Sequence, residues 1–269
     1  MKLFFKLKIE NFKINPMSFL HAIILGIIEG LTEFLPISST GHLMLTNKIL
    51  NIPLTPFVTS FNIYIQLGAI LAVVVLYIKK LLTTWHNVLH VLSAFIPTMA
   101  IGLIVYPFVK KFLLTNLLVV AIALIIGGVG LIIFEKFYKK NQATKNLNLK
   151  NSFIIGICQM LAVIPGVSRS AATIIGGMLM GIKRATIVEF SFFLAIPTMV
   201  AASGLDIIES GWGFSEAEWQ FIGLGFVAAF ITALLAIKWF ITYVQKHTFT
   251  AFGIYRIIIG IIILLFFLK

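Results

Sequence analysis

Between Glu29 and His42 the chain reads E-G-L-T-E-F-L-P-I-S-S-T-G-H, inside sequence that is otherwise strongly apolar. A charged side chain at bilayer depth costs about 3 kcal/mol or more, so acids placed there are first of all candidates for function. Glu29 and Glu33 are spaced i, i+4. On a helix both carboxylates share one face, close enough to hold a cation or a proton between them. Pro36 ends that helix, because it lacks an N–H and its ring clashes with the preceding turn. Ser38, Ser39, Thr40 and Gly41 then supply hydroxyls on a hinge. Backbone N–H groups there open a second helix, whose N-terminus attracts anions. His42 lies three residues past Ser39, one helical turn away. It is placed to activate Ser39, to activate water, or to protonate a leaving phosphate.

A second stretch, P-G-V-S-R-S at 165–170, breaks another apolar segment. Its charge is Arg169, and a guanidinium suits two-point recognition of phosphate. Ser38, Thr40, Ser168, Ser170 and Thr173 are candidate donors to phosphate oxygens, although Ser and Thr also bond back to helix carbonyls. Glu29 and Glu33 are the candidate ligands for Mg²⁺ or Ca²⁺, since Mg²⁺ commonly takes one or two carboxylates plus substrate phosphates. One of the pair serves equally well as a general base. The structural alternative is a resting ion pair between Arg169 and Glu29 or Glu33.

The composition sets the frame. The 269 residues are 60% hydrophobic and 11% charged, with a mean hydropathy of +1.06. That balance excludes a water-soluble domain and implies an integral membrane protein. The net charge of +12 does not indicate nucleic acid, because Lys and Arg sit mainly in short connections between apolar runs. Cys158 is the single cysteine, so no intrachain disulfide forms, and a small buried apolar role is expected for it.

The elements follow in order. Residues 1–16 alternate Lys with Phe, Leu and Ile and read as an amphipathic interfacial segment, not a removable signal peptide. Residues 19–48 hold two half-helices around Pro36, each too short to span alone. Broken backbone at this depth is tolerated only against protein or a water-filled cavity, so a re-entrant hairpin is expected. Full spans are predicted at 57–78, 90–109 and 116–135, then a polar connection at 136–151. The order then repeats: a broken segment at 152–181, and spans at 186–206, 219–239 and 250–268. The predicted fold is an all-α polytopic membrane protein forming one integral membrane domain. It is an inverted repeat, each half one re-entrant helical hairpin plus three transmembrane helices: repeat one at 17–135, repeat two at 152–268. Paired broken segments in inverted repeats point to a site near the midplane.

Charge then sets the orientation. Eleven Lys and Arg fall on the side of the 136–151 connection and eight on the side of the N-terminus, with Arg169 and Arg256 inside apolar segments. The 136–151 side is therefore read as cytoplasmic. His21, His86, His90 and His247, with Trp85, Trp212, Trp219 and Trp239, fall near segment ends and read as interfacial. Arg256 is expected to snorkel to the headgroups.

The two motifs together resemble the undecaprenyl-pyrophosphate phosphatase family, also called the bacitracin-resistance protein family. The run at 29–42 is similar to its first signature without a gap. Gly156, Gln159 and Ala162 leading into 165–170 are similar to its second, and Gln66-Leu67-Gly68 and Glu189-Phe190-Ser191 also fall where that family has similar residues. The family usually has Gly at the position that is Ala171 here. The resemblance implies hydrolysis of undecaprenyl diphosphate to undecaprenyl phosphate and inorganic phosphate. It implies recycling of a cell-wall lipid carrier in a bacterial plasma membrane, resistance to bacitracin, and a site opening to the extracytoplasmic face. A homodimer is left open. Such a reaction needs a polar pocket that opens sideways to lipid, a cation, a phosphate clamp, and a nucleophile or base. The competing reading is a transporter or flippase of an anionic isoprenoid lipid, since inverted repeats with broken helices are typical of transporters. A transporter needs an anion site but no nucleophile and base, which favours the enzyme.

Overall fold

The computed structural model describes residues 17–82, 85–109, 113, 116–138, 145–211 and 213–267. The basic segment 1–16, Lys110, Lys111, Trp212 and the middle of the 136–151 connection lie outside them, as do the side chains of Trp85 and His86. Two short helices, α1 (Phe19–Thr32) and α2 (Ser39–Ile49), flank the first break, and α3 (Pro56–Leu82), α4 (Trp85–Phe108) and α5 (Leu117–Phe137) follow. The second unit repeats the order. Helix α6 (Leu149–Gln159) runs through a 3₁₀ turn (Met160–Val163) and a break into α7 (Arg169–Leu179), followed by α8 (Arg184–Ser210), α9 (Glu216–Lys246) and α10 (Thr250–Phe266). No β-strand is present among the described residues.

Five helices, α3, α4, α5, α8 and α9, are long and apolar enough to cross a bilayer. The chain is a multi-pass membrane protein. The sixth expected span, 250–268, is shorter than predicted: α10 has 17 residues, about 25 Å at 1.5 Å per residue. Its start is drawn inward. Phe249 is fully buried, and its N–H donates to Glu135 Oε1 at 2.8 Å. The same carboxylate takes two hydrogen bonds from Arg184, whose Nη1 also donates to His247 O. This corner ties the ends of α5, α8 and α9 together.

The packing exchanges partners between the two units. Helix α1 lies along α9, and α6 lies along α4. The last helices, α5 and α10, pack on each other, and α3 contacts both α8 and α9. Without a hydrophobic drive between helices in lipid, close approach comes from small residues. A Cβ on Gly26 or Gly30 would strike the α9 backbone at Gly225 or Ala229, and one on Gly156 would strike Ala94 O on α4. Phe34, Phe192 and Phe240 fill the core between them. Side chains such as Ile104, Ile126, Ile208 and Trp239 stay exposed along the outer faces, as lipid-facing positions require.

Candidate active site

Each break turns on a serine in an uncommon conformation. Ser38 has φ 71° and ψ 94°, and Ser168 has φ 76° and ψ 115°. Non-glycine residues with positive φ cost about 1–3 kcal/mol and cluster at functional sites. Both serines cap the following helix. Ser38 Oγ accepts from Gly41 N at 3.3 Å, and Ser168 Oγ accepts from Ala171 N at 3.2 Å. Ala171 sits inside α7, where its Cβ is buried. The two helix N-termini, α2 and α7, thus begin at equivalent capped elbows.

The elbows meet. Arg169 Nη2 pairs with Glu33 Oε1 at 2.8 Å. Ser170 Oγ donates to Phe34 O at 2.8 Å. Arg169 Nη1 donates to Ser191 O at 2.6 Å, and the guanidinium lies over the Phe34 ring at 5.9 Å. Glu33 uses its other oxygen as well: Ser39 Oγ donates to Oε2 at 2.5 Å. A hydroxyl, a carboxylate and a guanidinium therefore form one continuous relay, with both charges desolvated.

His42 takes other partners. Nδ1 bonds Ser38 O at 2.7 Å, and Nε2 bonds Tyr255 OH on α10 at 2.8 Å. The two rings are parallel, 5.5 Å apart. Ser39 is thus oriented by Glu33, while His42 stands one turn behind it, held from both sides.

A cavity of about 160 Å³ lies between the elbows, lined by Glu33, Ser38, Ser39, Thr40, Ser168 and Arg169 among others. Ser170 and Thr173 lie behind it and are fully buried. Thr173 Oγ1 donates to Arg169 O at 2.8 Å and to Gln159 Oε1 at 3.2 Å. The Gln159 amide in turn donates to Thr98 and Thr198, fastening the second break to α4 and α8.

Glu29 is fully buried, and neither of its oxygens has a hydrogen-bond partner. A buried carboxylate left unmatched is costly unless a proton or a cation completes it. Among the described residues no group of three or more His, Cys, Asp or Glu gathers at one point. Two carboxylates on one helix face, one of them unsatisfied, fit a divalent cation only if the remaining ligands are oxygens of a bound phosphate group or water.

Three residues hold the site in ways the sequence does not assign to them. Ser191 positions Arg169 through its carbonyl, which no side-chain pattern reveals. Tyr255 holds His42. Arg256 does not snorkel: it is fully buried and donates to Pro36 O, Ala123 O and Gly166 O at 3.2, 3.2 and 2.9 Å. It points inward because the carbonyls of Pro36 and Gly166, at the two breaks, lack helical donors. The cost of an intramembrane charge was the signal for it, the same one that marked Arg169.

The model of the family described as bacitracin resistance protein BacA matches residues 22–262. The chain belongs to the BacA family. It is 51% identical over 250 residues to the undecaprenyl-diphosphatase of Aquifex aeolicus, covering 92% of this chain and 98% of that protein. The undecaprenyl-diphosphatase of Persephonella marina is 48% identical over 256 residues, covering 94% and 100%. That of Sulfurihydrogenibium sp. is 47% identical over 255 residues, covering 93% and 100%. In this BacA-family chain both elbows, Tyr255 and Arg256 all fall inside the matched region.

Proposed function

We propose that this protein hydrolyses undecaprenyl diphosphate to undecaprenyl phosphate and inorganic phosphate in the plasma membrane of a bacterium. It thereby recycles a lipid carrier of cell-wall synthesis and confers bacitracin resistance. The observation that carries the reading is the Ser39–Glu33–Arg169 relay at the meeting of two capped elbows. It sits in a chain about half identical, along nearly its whole length, to proteins named for this reaction.

The chemistry follows from the relay. The substrate's terminal phosphate enters the cavity between the N-termini of α2 and α7, whose free N–H groups favour an anion. Ser38, Thr40 and Ser168 line the same space and donate to its oxygens. Glu33 takes the Ser39 proton as Ser39 Oγ attacks the terminal phosphorus. The bond from that phosphorus to the bridging oxygen breaks, and its electron pair leaves on undecaprenyl phosphate. Water then attacks the phosphoserine and gives its proton to the base left by leaving-group protonation; Glu33 returns the first proton to Ser39 Oγ as the P–Oγ bond breaks, and inorganic phosphate is released. His42, one turn behind Ser39, supplies the leaving-group proton once the bond between its Nε2 and Tyr255 opens. Arg169 offers donors to the charge that grows on the phosphoryl oxygens, trading its resting partner Glu33 for the substrate. Glu29 and Glu33 would hold a Mg²⁺ or Ca²⁺ ion, which when bound neutralises charge on the diphosphate.

The surroundings favour entry from the extracytoplasmic face. The cavity shares Thr40 and Gln66 with a second one of about 350 Å³, which reaches Asp206 and Ser210 at the far end of α8. That end carries the acidic 206–219 connection, while the basic connection lies at the opposite side. An apolar cleft between α4 and α8, lined by Phe95, Met99, Leu103 and Val163, borders the site at Ala202 and suits an isoprenyl tail. The two halves are read as inverted, so that the elbows enter from opposite faces of the membrane and meet.

The test is phosphate release from undecaprenyl diphosphate by the purified chain in detergent, where vectorial transport plays no part. Release by the wild type and its loss in Ser39→Ala support the reading. Absence of release by folded wild-type protein with Mg²⁺ and Ca²⁺ supplied would overturn it in favour of a transporter.

A further inference from the structure

Arg256 has no place in the steps above, yet it is the largest fully buried side chain among those described. It lies on α10, outside both motifs. Its donors reach three separate elements: Pro36 O in the first elbow, Gly166 O in the second, and Ala123 O on α5. Among the described residues it makes no ion pair.

These acceptors are not incidental. Pro36 and Gly166 are the residues at which the two half-helices break, and their carbonyls are left without a helical donor in a place closed to water. An unsatisfied backbone group in such a setting pays its full desolvation cost with no bond in return. One guanidinium, a rigid fork of five donors, reaches the two elbows through separate nitrogens, whereas the three donors of an ammonium all radiate from a single nitrogen. The neighbouring helix is shaped to admit it. A Cβ on Gly127 of α5 would collide with Arg256 Nη2.

We propose that Arg256 is the positioning residue of the active site. It clamps the two elbows together from below, and this fixes Glu33 and Ser39 of the first against Arg169 of the second. The inference rests on the phosphatase reading for its catalytic consequence, but the clamp itself is open to measurement without activity. Satisfying two orphan carbonyls stabilises the fold in any case. Positioning adds that turnover depends on the two elbows keeping their separation, since a misplacement of about 1 Å costs about 100-fold in rate.

The experiment compares wild type with Arg256→Lys, both purified in detergent. Hydrogen exchange followed by mass spectrometry is read first. Peptides covering 33–38 and 164–168 are expected to exchange at least about tenfold faster in the variant, with α3 and α9 unchanged. Uniformly faster exchange, or unchanged elbows, would overturn the clamp. Kinetics are read second. The expected result is a fall in kcat of about 100-fold with KM close to wild type. Arg169→Lys placed in the Arg256→Lys background should then cost at least about tenfold less than it costs alone, because the geometry it depends on is already lost. Costs that simply multiply, or a kcat near wild type, would leave Arg256 a purely structural residue and sink the proposal. If Arg256→Lys does not fold, Gly127→Ala displaces the guanidinium without removing it and is held to the same outcomes. A wild type that releases no phosphate overturns the functional reading, while the exchange result still decides the clamp.

Discussion

Ser39 Oγ donates to Glu33 Oε2 at 2.5 Å while Arg169 Nη2 holds the other oxygen of the same carboxylate at 2.8 Å. One side chain of the first elbow thus binds both the hydroxyl beside it and the cation of the opposite elbow. Its affinity for the Ser39 proton and its release of Arg169 to substrate are linked by this geometry.

Removing either end of that link has different consequences. Ser39→Ala should abolish turnover with little loss of stability, because it deletes one hydroxyl. Glu33→Gln should lower kcat by about 100- to 10,000-fold as a lost general base. It should also destabilise the protein by about 3–5 kcal/mol, because it strands Arg169 as a buried unpaired charge. Phosphate release and thermal unfolding in the same detergent measure both. A Ser39→Ala enzyme within tenfold of wild type would remove the serine from the attacking role.

Glu29→Gln should behave in the opposite way in stability. Both Glu29 oxygens are buried and unpartnered, so an uncharged amide should fold as well as the acid or better. The divalent cation response should disappear. The check is the shift of the unfolding temperature across a Mg²⁺ and Ca²⁺ titration without substrate, which grows as RT ln(1 + [L]/Kd) for a bound cation. A variant that keeps the wild-type shift would exclude Glu29 as a ligand.

Arg169→Lys should lose about 100-fold or more in kcat/KM despite the retained charge, since the guanidinium serves Glu33 and Ser191 O through different nitrogens. Recovery of most of the activity by Lys would show that charge alone suffices.

Tyr255→Phe removes only the bond to His42 Nε2. A neutral hydrogen bond contributes about 0.5–1.5 kcal/mol, so a rate loss of about two- to twelvefold is expected. His42→Ala should lose about 100-fold or more as an acid or base. Equal losses in the two variants would mean that Tyr255 itself takes part in the proton transfer.

Orientation has its own test. On a background lacking Cys158, a membrane-impermeant thiol reagent applied to intact cells should modify cysteines placed in the 206–219 connection and spare those in 136–151. The reverse pattern would place the site's opening on the cytoplasmic face and leave the chemistry untouched.

The sequence alone determined the membrane class, the two broken segments and the candidate residues that they carry. The reason is energetic. Glu29, Glu33 and Arg169 stand out because charge in an apolar run is costly, and Pro36 and Pro165 mark breaks because proline cannot continue a helix. Those signals are local, and the chain carries them in order. What the tertiary structure decided is which of these groups touch. Spacing placed His42 one turn from Ser39, but the α2 helix turns that ring toward Tyr255, some two hundred residues later in the chain, and leaves Ser39 to Glu33. Thr173 matched a phosphate donor by type, yet it lies behind Arg169 and holds the arginine's own carbonyl. The contact of Ser191 and the acceptors of Arg256 were not legible for a related reason, although the buried charge of Arg256 was. They act through or upon backbone carbonyls, which every residue possesses, so only the folded arrangement shows which carbonyls lack donors and which side chain supplies them.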